Sequence, residues 1–510
     1  MSEQTCINDQ DDMNGDDFDE QNVIQKSDIY KKYLCDPFYK HLNDASFKET
    51  RNTLFIVCGG TGLGKTYFCA NEMIPHLLNK ERVDFVCYSV PNIEILDDNQ
   101  IIQSLEKNCS DISFRTREEI DQVVNDLENN IQTVLSTTHQ MLLCSSRGQD
   151  LQEYLLNSDK KIAFIIDEIH MWTTSHISNY KDNTGSDTPE FQANLYNTLE
   201  LLSAKTPYLF GLSATPTSEQ VSKLKVVGNM KYKIMNNFCP SNQAISRMAW
   251  INKVSFHDAD VKNDVAFKFI NHIRRFVNKE KRTKIKQSML IVVNRENSKD
   301  GYGLSEVSNL LKAILKDINY YHPDDNVIAY MTGTFKYIES TNSAGREDDY
   351  YLNSEYNWVK KAYKPYTDQE IIEIANDPEC SVRFILLIEK GKCGMNIHNA
   401  KSLFSFRTRN GLNTQGESVI ENTLQLCGRL TRIYTGVKNK DFTAKYGYEL
   451  TNYVKELKST NNKKELNNLF NANSFDITVA NTKMWKDGMN VFKKKYTCPL
   501  KNAKKWAECV

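Results

Sequence analysis

A glycine-rich loop that follows an apolar strand is the feature that most narrows the folds open to this chain. Residues 54–58 are apolar and of strand length, and residues 67–78 beyond the loop have a helical pattern. The loop fits G-x-x-x-x-G-K-[ST], in which glycines let the backbone wrap around phosphate oxygens while the next helix points its N-terminus at them. Its residues are Gly59, Gly60, Thr61, Gly62, Leu63, Gly64, Lys65 and Thr66. This succession predicts an α/β domain that binds a nucleoside triphosphate.

Two side chains of the loop and two acids farther along the chain predict how a triphosphate would be bound and hydrolysed. Lys65 should reach the β- and γ-phosphates, and the Thr66 hydroxyl should ligate magnesium. The apolar run 162–166 ends in Asp167 and Glu168, at the edge of a parallel sheet where ligands bind. We expect Asp167 to be a second magnesium ligand and Glu168 to be the general base for an attacking water. ATP and Mg²⁺ are the predicted cofactors.

Short β-branched runs alternate with helical stretches along most of the chain, which is typical of parallel sheets covered by helices. The pattern predicts two such α/β sheets in tandem, because the runs fall into two series. The first series is 54–58, 84–89, 133–137, 162–166 and 208–212, and the second is 288–293, 326–331, 383–388 and 402–406. Residues 335–365 have no clear period and predict a surface insertion or a small element that contacts substrate.

The two ends of the chain differ in charge. Residues 1–25 carry eight acids and no Lys or Arg, which predicts a solvated tail. Residues 436–510 hold fifteen lysines against seven acids, a net charge of +8, with Trp485, Tyr496 and Trp506 among them. They form either a nucleic-acid-binding appendage, with cations on phosphates and rings on bases, or a solvated helical tail. Both ends are also open to partner proteins.

Length and composition set the remaining expectations. With 510 residues the chain exceeds one core, so we expect four segments: an acidic extension over 1–50, α/β domains over 51–248 and 249–435, and a basic, mainly helical extension over 436–510. The 13 cysteines contain no C-x-x-C pair and indicate reduced thiols, and the longest apolar runs are only of strand length. These features predict an intracellular protein, cytoplasmic or nucleoid-associated, that does not span a membrane. They leave its oligomeric state open.

Three motifs resemble those of superfamily 2 helicases of the DExH type, and the resemblance covers residues 51–435. Asp167 to His170 is similar to the D-E-x-H box, 213–215 to the S-A-T motif, and 425–432 to Q-x-x-G-R-x-x-R. The resemblance implies two RecA-like lobes that hydrolyse ATP in the cleft between them. The resemblance also assigns residues to two roles. One group would couple hydrolysis to contact with the strand, and the other would act when the second lobe closes over the γ-phosphate. The coupling residues are His170, Ser213 and Thr215; Gln425 would position water, and Arg429 and Arg432 are the arginine-finger candidates.

Weaker matches to the same family predict contacts with a nucleic acid strand. They lie in turns after predicted strands, where backbone amides and hydroxyls can reach phosphates. The residues are Pro91, Asn92, Thr137, Thr138, Asn294, Arg295, Thr332 and Gly333. Gly394 belongs to a further match in which Asn396 replaces the acid common in the family, and it is expected beside the nucleotide. No adenine-reading motif precedes Gly59, so Tyr33 or Phe38 is expected to cover the base.

The sequence thus predicts an ATP-dependent helicase or translocase, with DNA slightly favoured over RNA. One alternative is a motor that moves on duplex without unwinding it, as a packaging or restriction subunit. Another is a nucleic-acid-binding module whose ATPase has decayed.

Overall fold

A computed structural model describes two α/β lobes. The described residues are 31–59, 64–91, 101–102, 105–106, 109, 112–169, 200–213, 231–235, 251–294, 301–320, 326–332, 336–340, 350–352, 358–360, 366–377, 382–388, 397–407, 426–432 and 456–496. Each lobe is a sheet with helices packed on it, so the predicted fold class of two tandem parallel α/β domains is confirmed.

Seven parallel strands form the sheet of the first lobe, in the order β3-β4-β2-β5-β6-β1-β7. The central strands are buried on both faces, which explains why their sequences read as unbroken apolar runs. The strands are β1 (Thr53–Cys58), β2 (Phe85–Val90), β3 (Ser113–Arg115), β4 (Thr133–Thr138), β5 (Ile162–Ile166), β6 (Leu209–Ser213) and β7 (Lys231–Ile234).

Helices cover both faces of this sheet and divide its core into two apolar clusters. The helix after the glycine loop is one continuous run that contains a π-helical turn over Cys69–Met73. The helical segments are Lys31–Cys35, Asp36–Leu42, Ala45–Glu49, Lys65–Phe68, Cys69–Met73, Ile74–Asn79, Arg117–Glu119, Ile120–Glu128, His139–Cys144 and Ser146–Asn157.

The second lobe has its own seven-stranded sheet, in the order β11-β10-β14-β9-β15-β16-β8, and a separate two-stranded sheet. All pairs in the large sheet are parallel except that of the edge strand β11 with β10. The strands are β8 (Ile251–His257), β9 (Ser288–Val292), β10 (Asn326–Met331), β11 (Lys336–Ser340), β12 (Tyr350–Leu352), β13 (Trp358–Lys360), β14 (Phe384–Leu387), β15 (Ala400–Ser405) and β16 (Phe475–Ala480). The helices are Lys262–Thr283, Leu304–Asp317, Asp368–Asn376, Arg429–Thr431, Lys463–Asn473 and Lys483–Tyr496.

All nine predicted strands coincide with observed strands to within two residues at either end. The region 335–365 differs from a plain insertion loop. It contains β11, which extends the sheet, and the antiparallel pair of β12 and β13. Among the described residues, none lies in a helix long and apolar enough to cross a membrane.

The C-terminal residues correct the expectation of a separate helical extension over 436–510. Strand β16 lies inside the second sheet, between β15 and β8, because its apolar side chains fill the core of that lobe. Trp485 is also buried there, at 1% exposure, and its indole N–H donates to the Arg407 carbonyl at 2.8 Å. This ring is therefore not available to stack on bases.

The N-terminal helices correct a second expectation. Phe38 is buried in the core of the first lobe, in edge-to-face contact with Phe68 and His76. Tyr39 donates a hydrogen bond to Glu72 on the helix after the glycine loop. Phe38 therefore cannot cover an adenine base as predicted, because its ring is buried in the apolar core of the first lobe. Residues 36–49 pack on the first lobe.

We expect Trp485→Ala to destabilise the protein by about 3–5 kcal/mol, the usual cost of deleting a large buried ring. Phe267→Ala is the matched control, because that ring is exposed on the same lobe and its loss should change stability by no more than about 0.5 kcal/mol. Urea unfolding measures both. Equal stabilities for the two variants would contradict the placement of the C-terminal residues in the core.

Candidate active site

The glycine loop is followed at once by its helix. Gly64 has φ 94°, a left-handed conformation that glycine adopts without strain, and Lys65 begins the helix. The Lys65 ammonium donates to the Gly59 carbonyl at 2.9 Å and so folds back over the loop. An ammonium has three donors, so this bond leaves others for phosphate oxygens.

Asp167 lies at the carboxyl end of β5, beside the loop. Its backbone N–H donates to the Ser89 carbonyl at 2.8 Å, which extends the pairing of β5 with β2. Its side chain is 6% exposed and accepts from the Tyr88 hydroxyl and the Glu168 backbone N–H, each at 2.9 Å. Burial, with the charge of Glu168 second, raises the pKa of Asp167 to about 6, although the positive charge of Lys65 acts in the opposite direction.

Tyr88 connects the two oxygen ligands predicted for magnesium. Its hydroxyl donates to Asp167, and the Thr66 side chain hydrogen-bonds the same hydroxyl. The whole side chain is buried. Tyr88 lies just before the predicted strand contacts Pro91 and Asn92, and its role here could not be predicted from the sequence, because the contact depends on β2 and β5 being neighbours in the sheet.

Thr66 and Asp167 fit a magnesium ion. A hydroxyl and a carboxylate are hard oxygen ligands, and Mg²⁺ is usually held by one or two carboxylates, water and phosphate oxygens. No group of three or more His, Cys, Asp or Glu that could hold a metal occurs among the residues that the structure describes. The described part of the site therefore suits an ion that arrives with a nucleotide better than a preformed metal cage.

Glu168 begins a turn directly after β5. Its φ of 51° is a left-handed conformation that is strained for a residue with a side chain. The next residue, Ile169, packs so closely over Gly211 that a Cβ on this glycine would lie 2.8 Å from the isoleucine Cγ1. The close packing of Ile169 on Gly211 in β6 fixes the course of the turn that carries Glu168.

Ser213 also lies at this edge of the sheet. It ends β6, is fully buried, and accepts a hydrogen bond through its carbonyl from the Gly59 backbone N–H at 3.0 Å. The structure therefore brings one residue of the predicted coupling motif into direct contact with the glycine loop. The structure thus brings five predicted site residues together at the carboxyl ends of the strands of the first sheet: Lys65, Thr66, Asp167, Glu168 and Ser213.

In the second lobe, Arg429 and Arg432 flank a short turn and are almost fully buried. Lys401, on β15 and 1% exposed, donates through its ammonium to the backbone carbonyls of Leu430 and Arg432. These hydrogen bonds connect β15 of the sheet to the turn that contains both arginines. Lys401 was not among the predicted residues, because only the contact across the fold reveals it.

The predicted nucleic-acid contacts that the structure describes are buried. Thr137 is fully buried, and the Thr138 hydroxyl accepts from the Met141 N–H and caps the following helix. Asn294 donates through its side chain to the Gly301 carbonyl at 2.8 Å, and Pro91 and Thr332 are also buried. In this structure the side chains of these residues serve packing and capping.

Several predicted site residues lie outside the described residues. They are Gly60, Thr61, Gly62, Leu63, Asn92, His170, Thr215, Arg295, Gly333, Gly394 and Gln425.

Residues 26–218 match the family model described as Type III restriction enzyme, res subunit. The match supports the resemblance to superfamily 2 helicases over the residues that it covers. Comparison with curated protein sequences finds no match.

Solved helicase structures show a distant likeness. Dbp5 of S. cerevisiae, bound to RNA and ADP BeF3, is 13% identical over 88% of this chain and 83% of its own, with a TM-score of 0.44. Helicase Lhr of Mycobacterium smegmatis, bound to ssDNA and AMP-PNP, is 15% identical over 90% of this chain and 47% of its own, with a TM-score of 0.44. DUF1998 helicase MrfA, bound to DNA, is 10% identical over 92% of this chain and 54% of its own, with a TM-score of 0.48.

The raised pKa of Asp167 predicts a pH-dependent cost of keeping its carboxylate buried. A carboxyl whose folded pKa lies above its unfolded value of 3.8 contributes stability at low pH and loses it as the pH rises through about 6. We therefore expect Asp167→Asn to gain stability relative to wild type between pH 4 and pH 7, by at most about 3 kcal/mol. Urea unfolding in EDTA, without nucleotide, measures this difference.

The exposed Asp150 provides the control, since Asp150→Asn should show a nearly flat difference over the same pH range. A difference for Asp167→Asn that shrinks as the pH rises would contradict the assigned direction of the pKa shift.

Proposed function

We propose that this chain, whose first lobe carries a match to the restriction-enzyme res-subunit family and a superfamily 2 helicase-type site, is a nucleic-acid-stimulated ATPase that moves along or separates strands. The observation that carries the proposal is that Thr66 and Asp167 meet at the Tyr88 hydroxyl, close enough to Lys65 for its positive charge to act on Asp167. The stability of the fold does not require Lys65, Thr66 and Asp167 to lie close together at the carboxyl ends of the strands. Binding of a nucleoside triphosphate with its metal accounts for all of them.

Within this proposal, the glycine loop over 59–66 binds the triphosphate, and Lys65 turns from the Gly59 carbonyl to the β- and γ-phosphates. Thr66 and Asp167 hold Mg²⁺, which when bound neutralises charge on the phosphate oxygens. Glu168 orients and deprotonates the attacking water. Its position in a left-handed turn directly after β5 keeps it next to Asp167 in the chain.

The second lobe would supply the positive charge that a transition state of phosphoryl transfer needs. We assign this role to Arg429 and Arg432, with Gln425 positioning water and Gly394 beside the nucleotide. Lys401 would hold the turn so that both guanidinium groups are presented in one orientation. Their present burial implies that the turn shifts when the site is occupied.

The proposed strand contacts run through the loops after the strands. Because the side chains of Thr137, Thr138 and Asn294 are engaged in packing, any contact from them would come from backbone amides. The other proposed contacts are Pro91, Asn92, Arg295, Thr332 and Gly333, and the proposed coupling residues are His170, Ser213 and Thr215.

The family match favours one second candidate, a motor that moves on duplex DNA without unwinding it. A strand-displacement assay beside a triplex-displacement assay separates the two. Displacement of a third strand without separation of the duplex identifies the non-unwinding motor.

We expect Lys65→Ala and Glu168→Gln each to lower nucleic-acid-stimulated ATP turnover by about a hundredfold or more, because one removes a phosphate ligand and the other the base. Turnover is measured with single- and double-stranded DNA and RNA, which also identifies the preferred strand.

Lys80→Ala and Glu153→Gln are the controls, since both residues are exposed on the same lobe, Lys80 directly after the helix Ile74–Asn79 and Glu153 on the helix Ser146–Asn157. Turnover like that of wild type in Glu168→Gln would remove the assignment of the base. Absence of turnover in the wild-type chain with every polynucleotide would favour a binding module with a decayed ATPase.

Tyr88→Phe deletes only the hydroxyl between Thr66 and Asp167, so we expect the chain to require about tenfold more Mg²⁺ for half-maximal turnover. The thermal stabilisation by Mg²⁺ with ADP should fall, whereas that by ADP in EDTA should not. Tyr330→Phe is the matched control, because Tyr330 is equally buried and its hydroxyl hydrogen-bonds the Ser308 hydroxyl in the second lobe, away from the predicted magnesium ligands. An unchanged Mg²⁺ requirement in Tyr88→Phe would show that the hydroxyl does not organise the metal ligands.

A further inference from the structure

A groove lies at the edge of the second sheet, where the helix Lys262–Thr283 overhangs the edge strand β8. It has a volume of about 330 Å³, and the side chains that shape it include Lys253, Phe267, Lys268, Arg274 and Arg275. Among the described strands, β8 pairs with β16 alone, at the opposite side of the sheet from β10. The groove is therefore separate from the loops after β9 and β10, which carry the strand contacts proposed above.

The positive charges of the groove are largely uncompensated. Among the described residues, Arg274 is the one groove cation with an ion pair, to Asp317 at 2.9 Å. No carboxylate of the described chain lies within salt-bridge distance of Lys253, Lys268 or Arg275. Asp476, the cross-strand neighbour of Lys253 on β16, accepts a hydrogen bond from Asn252 and lies near Lys279. Three cations thus face the groove without a salt bridge to a described acid.

A buried histidine, His272, lies behind the groove and is affected by the same positive charges. His272 contacts Ser402 and Thr478, and the Arg275 guanidinium lies 3.3 Å from its Nδ1. Burial, together with the smaller effects of the positive charges of Arg275 and Lys253, lowers the pKa of His272 to about 3. A neutral imidazole can accept the hydrogen bond from Arg275 without neutralising its charge, so the guanidinium keeps its full attraction for anions.

Phe267 adds an aromatic surface beside these charges. With 61% of its surface exposed, it is the most exposed large apolar side chain among the described residues. It precedes Lys268 and lies two helical turns before Arg274 and Arg275. An exposed ring beside unpaired cations is the combination with which proteins bind single strands, because bases stack on the ring and cations neutralise the phosphates.

We propose that this groove binds a single nucleic acid strand, with Lys253, Lys268 and Arg275 on its phosphates and Phe267 stacked on a base. The proposal rests on the proposed function and adds to it a second binding surface on the outer edge of the second lobe. Lys268 and Arg275 are about 10 Å apart along the helix axis, which is about the rise of three nucleotides in a helical strand. An acidic protein segment would match the cations but would leave the exposed ring without a role.

The test measures binding of a fluorescently labelled oligothymidylate to the full chain by anisotropy over a series of salt concentrations. For the double variant Lys253→Gln, Arg275→Gln we expect weaker binding and a salt slope smaller by about 1.4, since each phosphate contact on a single strand contributes about 0.7. Phe267→Ala should weaken binding about fivefold or more while leaving the slope unchanged, because it removes stacking and no charge.

The control is the double variant Lys463→Gln, Lys464→Gln, which removes two exposed lysines at the start of another helix of the same lobe. It should keep the wild-type slope, and thermal unfolding should show that all three proteins are folded. If the groove variant keeps the wild-type slope while wild type binds the strand, the groove proposal is overturned and the proposed function stands. If wild type binds no polynucleotide, both fail.

A labelled polyglutamate peptide forms the last arm of the experiment. Binding of this peptide that is lost in the groove variant, together with unchanged oligothymidylate binding, would assign the groove to an acidic protein segment and overturn the proposal.

Discussion

A buried carboxylate at the end of a central strand is the constraint on which the site in the first lobe depends. Asp167 is almost excluded from water, and such a charge is tolerated only where donors and positive charge surround it. Tyr88, the Glu168 N–H and Lys65 supply them, yet its pKa remains raised. A divalent cation bound beside Asp167, as proposed, would offset the cost of keeping this carboxylate charged and buried. Affinity for such a metal and the raised pKa of Asp167 would then have the same physical origin.

The parallel sheets could be predicted because burial on both faces leaves a local signal. Central strands such as β1 and β5 are apolar throughout, and that alone identifies them. Edge strands carry no such signal: β7 reads Lys-Tyr-Lys-Ile, with its side chains largely exposed. Strand β16 is apolar, but about seventy residues separate it from β15, its neighbour in the sheet. No local pattern shows that a strand so far along the chain returns to the same core.

Within the site, the residues in local motifs could be predicted and those that act across strands could not. The positions of Lys65, Thr66 and Asp167 follow from a loop and a strand end that are contiguous in sequence. Tyr88 and Lys401 act through hydrogen bonds to residues about eighty and thirty positions away, which depend on strand order. The predictions for Phe38 and Trp485 were wrong because a nearby charge makes an aromatic ring look like a group that stacks on a ligand. Burying such a ring in an apolar core stabilises the fold more than leaving it exposed to solvent.

Charge distribution, not net charge, is what distinguishes the second lobe. The chain as a whole has a net charge of −1, with eight acids and no Lys or Arg in residues 1–25. The lysines of 436–510 suggested a basic appendage, but part of this region completes the lobe 2 core, and Lys493 lies over the Phe256 ring, whose strand carries Lys253. Lys253 and Lys493 therefore belong to a folded lobe in which β8, β16 and the helices packed on them fix their positions. A folded surface holds its charges at fixed distances from one another. Binding a polyanion to it therefore costs less conformational entropy than ordering a flexible basic tail on the same polyanion.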